Sequence, residues 1–296
     1  MEILITGGNG QLGTELQRIL REGRAEIGVI SDIYKDAHVV STDADTLDIT
    51  DADAVAAYVK RDAVDLIVNC AAMTNVDGCE ENEQVAYTIN AAGVENLAAA
   101  AEACGAKLVQ ISTDYVFSGD AYVDRIETDD ADPKSAYGRT KLAGEGLAQQ
   151  SCSKVFIIRT AWLYGYVGSN FVKTMLRLAR DNGAIKVVYD QYGNPTSAND
   201  LAYEILKIAA TDDYGIYHCT NKGTCSWCDF ASAILDSAGV ACSKQPCTTD
   251  EFPRPAKRPS YSSLRNKHLE DTIGDEMRAW PDALKEYLRR LPELQG

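Results

Sequence analysis

Tyr137 and Lys141 stand four residues apart in the stretch "SAYGRTKLAGE", residues 135–145. On a helix that spacing puts both side chains on one face. From the pair alone two readings are open. It can be a solvated helix face, the ordinary place for such side chains. It can also be a phenol beside an ammonium whose field lowers the phenol pKa, which gives an acid–base pair near neutral pH. Upstream, "VQISTDYVFSG" runs an apolar stretch into Ser112, Thr113 and Asp114. As a strand it would carry those polar groups at its carboxyl end, where open α/β folds place their ligands.

A second chemical signal lies at the start. Gly7, Gly10 and Gly13 form G-x-x-G-x-x-G between the apolar "EILIT" and the helical "TELQRILRE". The first glycine allows the turn, the next lets backbone approach a pyrophosphate, and the third lets helix pack on strand. Gln11 and Leu12, between the last two, are counted with them. The anion would rest on the helix N-terminus, where amides and dipole favour negative charge. An acidic residue should then follow the second strand and hold an adenosine ribose. Asp43 in "VVSTDAD" is the candidate, about 30 residues past Gly13 where ~20 is usual, so residues 22–37 would form an enlarged loop. Neither arginine nor lysine follows Asp43 closely. A 2′-phosphate wants a cation there, so NADH is favoured slightly over NADPH. "TLDIT" would bring Asp48 and Ile49 near the adenine. "NCAAMTNVD" ends another strand, with small Ala71 and Ala72, then Met73, where a cofactor can lie close.

These groups need a frame. Apolar strands are expected at 2–6, 38–42, 64–70, "AKLVQIST" and "KVFIIRTAWLYG", each but the last followed by a helical stretch. Asp51 or Asp53 would cap the helix of "DADAVAAYVKRD". Gly105 would close one long helix that starts near "NEQVAY". Strands apolar throughout and alternating with helices predict a Rossmann-type, doubly wound α/β fold with a parallel sheet. After about residue 165 the pattern loosens, and "QPCTTDEFPRPAKRPSYSSL" reads as irregular chain. The expected division is a cofactor domain over 1–165 and a smaller α/β substrate lobe over 166–296, with some segments returning to the first domain.

Composition narrows the class. With 45% hydrophobic and 25% charged residues the chain reads as an ordinary globular protein. It has no apolar run of membrane-spanning length and no leader-like start, which predicts a cytoplasmic protein. The net charge of −15 opposes a nucleic acid polymer as partner. Nine cysteines in irregular spacing read as free thiols, and the Cys225-x-x-Cys228 pair lacks a second pair suited to zinc. Those between 219 and 247 are explained as small core residues.

A hydroxyl at a strand end followed by Y-x-x-x-K on a helix resembles the active-site pattern of the short-chain dehydrogenase/reductase superfamily. The stretches "GGNGQLGTELQ", "NCAAMTNVDGCE", "STDYVFSG", "YGRTKLAGE", "RTAWLYG", "NFVKTMLRLA", "DQYGNPTS" and "RPSYSSL" are similar to its dTDP-4-dehydrorhamnose reductase branch. The resemblance runs from residue 1 to about 265. It implies NAD(P)H-dependent reduction of the 4-keto group of a dTDP-6-deoxyhexulose to dTDP-L-rhamnose, a precursor of cell-surface polysaccharide. It implies Tyr137 as proton donor, Lys141 as its stabiliser and a cofactor contact, and Thr113 as polariser of the ketone. Thr113, Asp114 and Trp162 would contact the sugar, and Asn90 would hold a structural water near Lys141. The C-terminal lobe would bind the dTDP half. Arg258 suits the diphosphate, since a guanidinium matches phosphate oxygens, but it could equally anchor the irregular tail. Some relatives form a magnesium-bridged dimer. Glu15 matches one bridging position, but Asn199 stands at another, so no metal site is assigned and a monomer or homodimer is expected. Two alternatives stand beside the reductase. One is a nucleotide-sugar epimerase; a dehydratase would want Asp–Glu where Asp114–Tyr115 stands. The other is a non-catalytic regulatory subunit like the methionine adenosyltransferase beta subunit.

Overall fold

The structure, a computed structural model, describes residues 1–294. Strand β1 (Glu2–Thr6) passes through the glycine loop into α1 (Gln11–Glu22). β2 (His38–Thr42), α2 (Ala52–Arg61), β3 (Leu66–Asn69), α3 (Val76–Glu81) and α4 (Glu83–Tyr87) follow. Next come α5 (Gly93–Cys104), β4 (Lys107–Thr113), α6 (Ala136–Ser151) and β5 (Val155–Thr160). The later half contains β6 (Leu163–Tyr164), α7 (Phe171–Asn182), β7 (Ala184–Val188), β8 (Tyr192–Gly193), β9 (Thr196–Ser197) and α8 (Ala198–Ala209). It ends with β10 (Gly215–His218), β11 (Cys225–Ser226), α9 (Trp227–Ser237), β12 (Ser243–Cys247), α10 (Lys267–Asp271) and α11 (Trp280–Arg290).

Six strands form one sheet in the order β2-β1-β3-β4-β5-β10, with every pairing parallel. Both faces are covered, as strands apolar throughout require. Ile3, Ile5, Leu66 and Val68 pack with Leu16 and Ile19 of α1 and Leu201 and Ile205 of α8. Leu4, Ile67, Leu108 and Ile157 point the other way, into Val55, Leu97 and Ala148 of α2, α5 and α6. The sheet is therefore doubly wound. The strand order reverses between β1 and β3, so the carboxyl ends of those strands border the crevice where this architecture binds ligands. A separate core joins α7, α9 and α11 around the parallel β7–β12 pair.

Local chemistry explains most element ends. Asp51 caps α2 through the Ala54 N–H at 3.0 Å. Gly105 closes α5 at φ +73°, in the left-handed region that favours glycine. Three expectations are corrected. "RTAWLYG" is not one strand: β5 stops at Thr160, Trp162 takes φ +47°, and β6 pairs with β9 instead of the main sheet. The expected long helix is interrupted by a π-helical turn at Thr88–Ala92 between α4 and α5. The irregular segment begins with a strand, β12, because β7 offers it an edge. Among the described residues no helix is long and apolar enough to cross a membrane.

Candidate active site

A cleft of about 1030 Å³ follows the carboxyl edge of the sheet. Strand order sets its layout. Asp43 after β2 and the glycine loop after β1 line one end, and Ala71 and Ala72 after β3 line the middle. Thr113 and Asp114 at the end of β4 and Trp162 beyond β5 line the other end, together with Tyr137 and Lys141 of α6.

The glycine loop has room for backbone and nothing else. Gly7 adopts φ +65°, and a Cβ there would lie 2.7 Å from the Ala71 nitrogen. A Cβ on Gly13 would lie 2.5 Å from the Gly7 carbonyl oxygen, so the third glycine is what brings α1 against β1. The helices α2, α6, α7 and α9 are capped by Asp51, Ser135, Asn170 and Ser226, whereas α1 starts at Gly10 without a side-chain cap. A helix N-terminus uncapped in this way and facing a cleft fits a pyrophosphate. Asp43 accepts the Asn9 N–H at 3.1 Å, which fixes its carboxylate beside the loop. The Asp48 carboxylate is held low by hydrogen bonds from the backbone and hydroxyl of Thr50, and Asp48 and Ile49 both reach the cleft. Gln11 lines the cleft while its Oε1 accepts from Gly165 N at 2.8 Å and Asn170 Nδ2 at 2.9 Å. Leu12 is buried in the core below and touches the cleft wall.

At the other end Thr113 Oγ1 donates to Asp114 Oδ1 at 2.9 Å and accepts from Tyr115 N at 3.2 Å. The Tyr137 ring stands half-buried, edge-on to Tyr115 at 5.6 Å. Burial raises its phenol pKa well above the ordinary value, and the hydrogen bond with Thr113 opposes that. The expected net lowering of this pKa is not met, because burial outweighs what opposes it. Lys141 is 3% exposed and its Nζ donates to the Ile111 carbonyl at 2.6 Å. Burial brings the ammonium pKa down to about 8, with the Glu145 carboxylate opposing. Asp114 is buried, and desolvation lifts its carboxyl to about 6; its Oδ2 has no hydrogen-bond partner.

Two predicted contacts lie directly behind residues that line the cleft. Met73 packs with Cys79, Ala86 and Ala136 beneath Tyr137. Arg258 pairs with Asp77 at 3.1 Å and donates to the Tyr115 hydroxyl at 3.2 Å, so it anchors the irregular tail. The Asn90 side chain is engaged within the chain. Its Oδ1 accepts from Met73 N, and its Nδ2 donates to Met73 O and Thr140 Oγ1, so the amide clamps the loop after β3 onto α6. The π-helical turn is what sets it there, in keeping with such turns at functional positions. Glu15 is satisfied within the chain by Asn199 at 2.7 Å and Arg18 at 2.9 Å.

Two features escape the sequence. Trp227 lines the cleft and stacks on Trp162, centroids 3.4 Å apart and planes 5° apart. No local pattern marks a tryptophan at a helix start as a cleft residue. Behind Lys141, buried Glu145 accepts from Ser112 Oγ at 2.5 Å and pairs with buried Arg159 at 2.7 Å. Its place four residues after Lys141 was a usable signal.

Residues 1–292 match a family model described as "RmlD substrate binding domain". A spore coat polysaccharide biosynthesis protein, SpsK, of Bacillus subtilis is 39% identical, with 97% of each chain covered. A solved dTDP-4-dehydrorhamnose reductase of Clostridium acetobutylicum is 50% identical with a TM-score of 0.92, covering 98% of this chain and 99% of that one. A Bacillus anthracis dTDP-4-dehydrorhamnose reductase, solved in complex with NADP, is 40% identical with a TM-score of 0.92, covering 97% and 98%.

Proposed function

The chain belongs to the dTDP-4-dehydrorhamnose reductase family, and from that premise we propose that its cleft reduces the 4-keto group of dTDP-4-dehydro-6-deoxy-L-mannose with NADH or NADPH. One observation carries the reading: Thr113, Tyr137 and Lys141 line one end of a cleft whose other end is an uncapped glycine-rich helix start. Reduced nicotinamide, when bound, supplies the hydride for the ketone carbon. The chain supplies the proton and the positions. Tyr137, a phenol and so protonated at neutral pH, gives its phenolic proton to the ketone oxygen. Thr113 hydrogen-bonds that oxygen as its charge builds. Lys141 would stabilise the tyrosinate with its field and hold the nicotinamide ribose.

Gly7, Gly10, Gln11, Leu12, Gly13, Asp43, Asp48, Ile49, Ala71 and Ala72 are assigned to the cofactor, and Thr113, Asp114 and Trp162 to the sugar. Met73 supports the site from below, and Arg258 holds the tail near the dTDP side. The working division is cofactor binding in 1–165 and mainly substrate binding in 166–296. The protein would work in the cytoplasm, as monomer or homodimer, and its product would feed cell-surface polysaccharide.

The test follows absorbance at the reduced-nicotinamide band with the keto sugar generated in situ, NADH and NADPH side by side. Oxidation that requires the keto sugar supports the reductase. Tight cofactor binding without turnover would overturn it in favour of a non-catalytic role.

A further inference from the structure

Trp162 is one of two described non-glycine residues at positive φ, at +47°. That region strains an L-residue and persists only where the surroundings impose it. Here the surroundings come from the later half of the chain. The Trp162 indole lies parallel to that of Trp227 at 3.4 Å. The Gly193 backbone leaves no gap beside the ring, since a Cβ there would lie 2.6 Å from the indole nitrogen. The Trp162 carbonyl accepts from Thr196 N at 3.2 Å.

Trp227 is itself fixed. It is the first residue of α9, behind the reciprocal capping box of Ser226 and Asp229. Phe171 of α7 packs on it at 4.4 Å, and its N–H reaches the Gln191 carbonyl at 3.3 Å. Both indoles line the cleft on the side of Thr113 and Tyr137. One ring thus comes from the end of the main sheet and the other from the helical core of α7, α9 and α11.

We propose that Trp227 is a positioning residue for the sugar: stacked on one face of the Trp162 indole, it sets the plane of that ring, whose outer face forms an aromatic wall against the C–H face of the pyranose. The inference rests on the reductase reading. A wall of this kind orders a sugar by its flat apolar face and leaves polar discrimination to Thr113 and Asp114. Stacking also keeps Trp162 in a backbone conformation it would otherwise leave. Substitution of Trp227 should therefore act on substrate binding through Trp162, and the cofactor should not sense it.

The test uses the full chain and four variants: Trp227→Phe, Trp227→Leu, Trp162→Phe and, as control, Trp280→Phe. Stacked indoles whose in-plane transition dipoles are rotated against each other couple as excitons, which gives a paired band in far-ultraviolet circular dichroism. The band is expected to vanish in the Trp227 and Trp162 variants and to stay in Trp280→Phe. Trp227→Leu should raise KM for the keto sugar about tenfold, with KM for the nicotinamide unchanged, and Trp227→Phe should recover part of that loss. Loss of the band with an unchanged sugar KM would overturn the proposal, as would a band that survives Trp227→Phe. If the wild-type chain shows no turnover, the reductase reading fails by itself. The stack is then tested with dTDP-L-rhamnose as probe: weaker binding in Trp227→Leu supports the positioning role, and equal binding overturns it.

Discussion

Lys141 and Glu145, one turn apart on α6 and both buried, fasten to consecutive residues of β4: Lys141 to the Ile111 carbonyl and Glu145 to the Ser112 hydroxyl. Thr113 is the next residue. The distance between the helix that carries Tyr137 and the strand that carries Thr113 is thus set by two adjoining bonds. Arg159 of β5 closes the arrangement from the far side of β4, through its pair with Glu145.

Glu145→Gln should be strongly destabilising, because Arg159 would keep a buried charge without its carboxylate. Removing one partner of such a pair costs about 3–5 kcal/mol. Denaturant unfolding of Glu145→Gln and of Glu145→Gln/Arg159→Met checks it. The double variant should recover much of the loss, and a double variant as unstable as the single one would show that the pair is not the cause.

Asp114→Asn should raise thermal stability at neutral pH while it lowers activity. The folded carboxyl, lifted to about 6, lies above its ordinary value of 3.8, so ionisation of Asp114 works against folding above that window. A difference of that size corresponds to roughly 3 kcal/mol at most. The stabilisation of the variant should shrink as pH falls from 6 towards 4. Melting curves across pH would show a constant difference if the buried charge were not responsible.

The Lys141 ammonium loses its proton at about 8 in the folded chain, against an ordinary value of 10.5. Folding therefore costs free energy while Lys141 is charged, and that cost is relieved as pH rises from about 8 to 10.5. Activity should move the other way. The profile of kcat/KM against pH, which reports the free enzyme, should fall on an alkaline limb near 8 as the field beside Tyr137 disappears. Lys141→Met should flatten that limb and lower kcat, and a limb unchanged in position would assign it to another group.

Asp43→Ala should weaken NADH more than NADPH. The carboxylate sits 3.1 Å from Asn9 N beside the glycine loop, where it can hold a ribose diol and repel a 2′-phosphate. Dissociation constants for both nucleotides, measured by fluorescence, check it. Equal weakening would remove Asp43 from the ribose site.

The doubly wound sheet was legible because its signals are local. Apolar runs of strand length, the glycine triplet and the amphipathic α1 all lie within a few residues of one another. The meeting of Thr113, Tyr137 and Lys141 was legible for a related reason, since a strand end and a four-residue helical spacing fix where side chains go. What escaped depends on partners remote in sequence. "RTAWLYG" is apolar enough for a strand, and only Trp227 and Gly193, 65 and 31 residues on, turn Trp162 out of it. Arg258 had a chemistry that suited either of two roles, and Asp77 and Tyr115 decide where it rests. Asn90 carried no sign of its clamp on Met73 because the π-helical turn that aims it has no clear sequence mark.

Among the described residues that line the cleft, Lys141 is the single cation, in a chain of net charge −15. A dinucleotide and a dTDP-sugar are both anions, so each must approach against the field of the whole molecule and is rewarded only at contact, by helix-end amides and fixed donors. Added salt shortens the reach of that field from about 10 Å at 0.1 M to about 3 Å at 1 M. Encounter is thus slowest in dilute buffer and quickens as ionic strength rises, the reverse of a protein that draws its ligands in by charge.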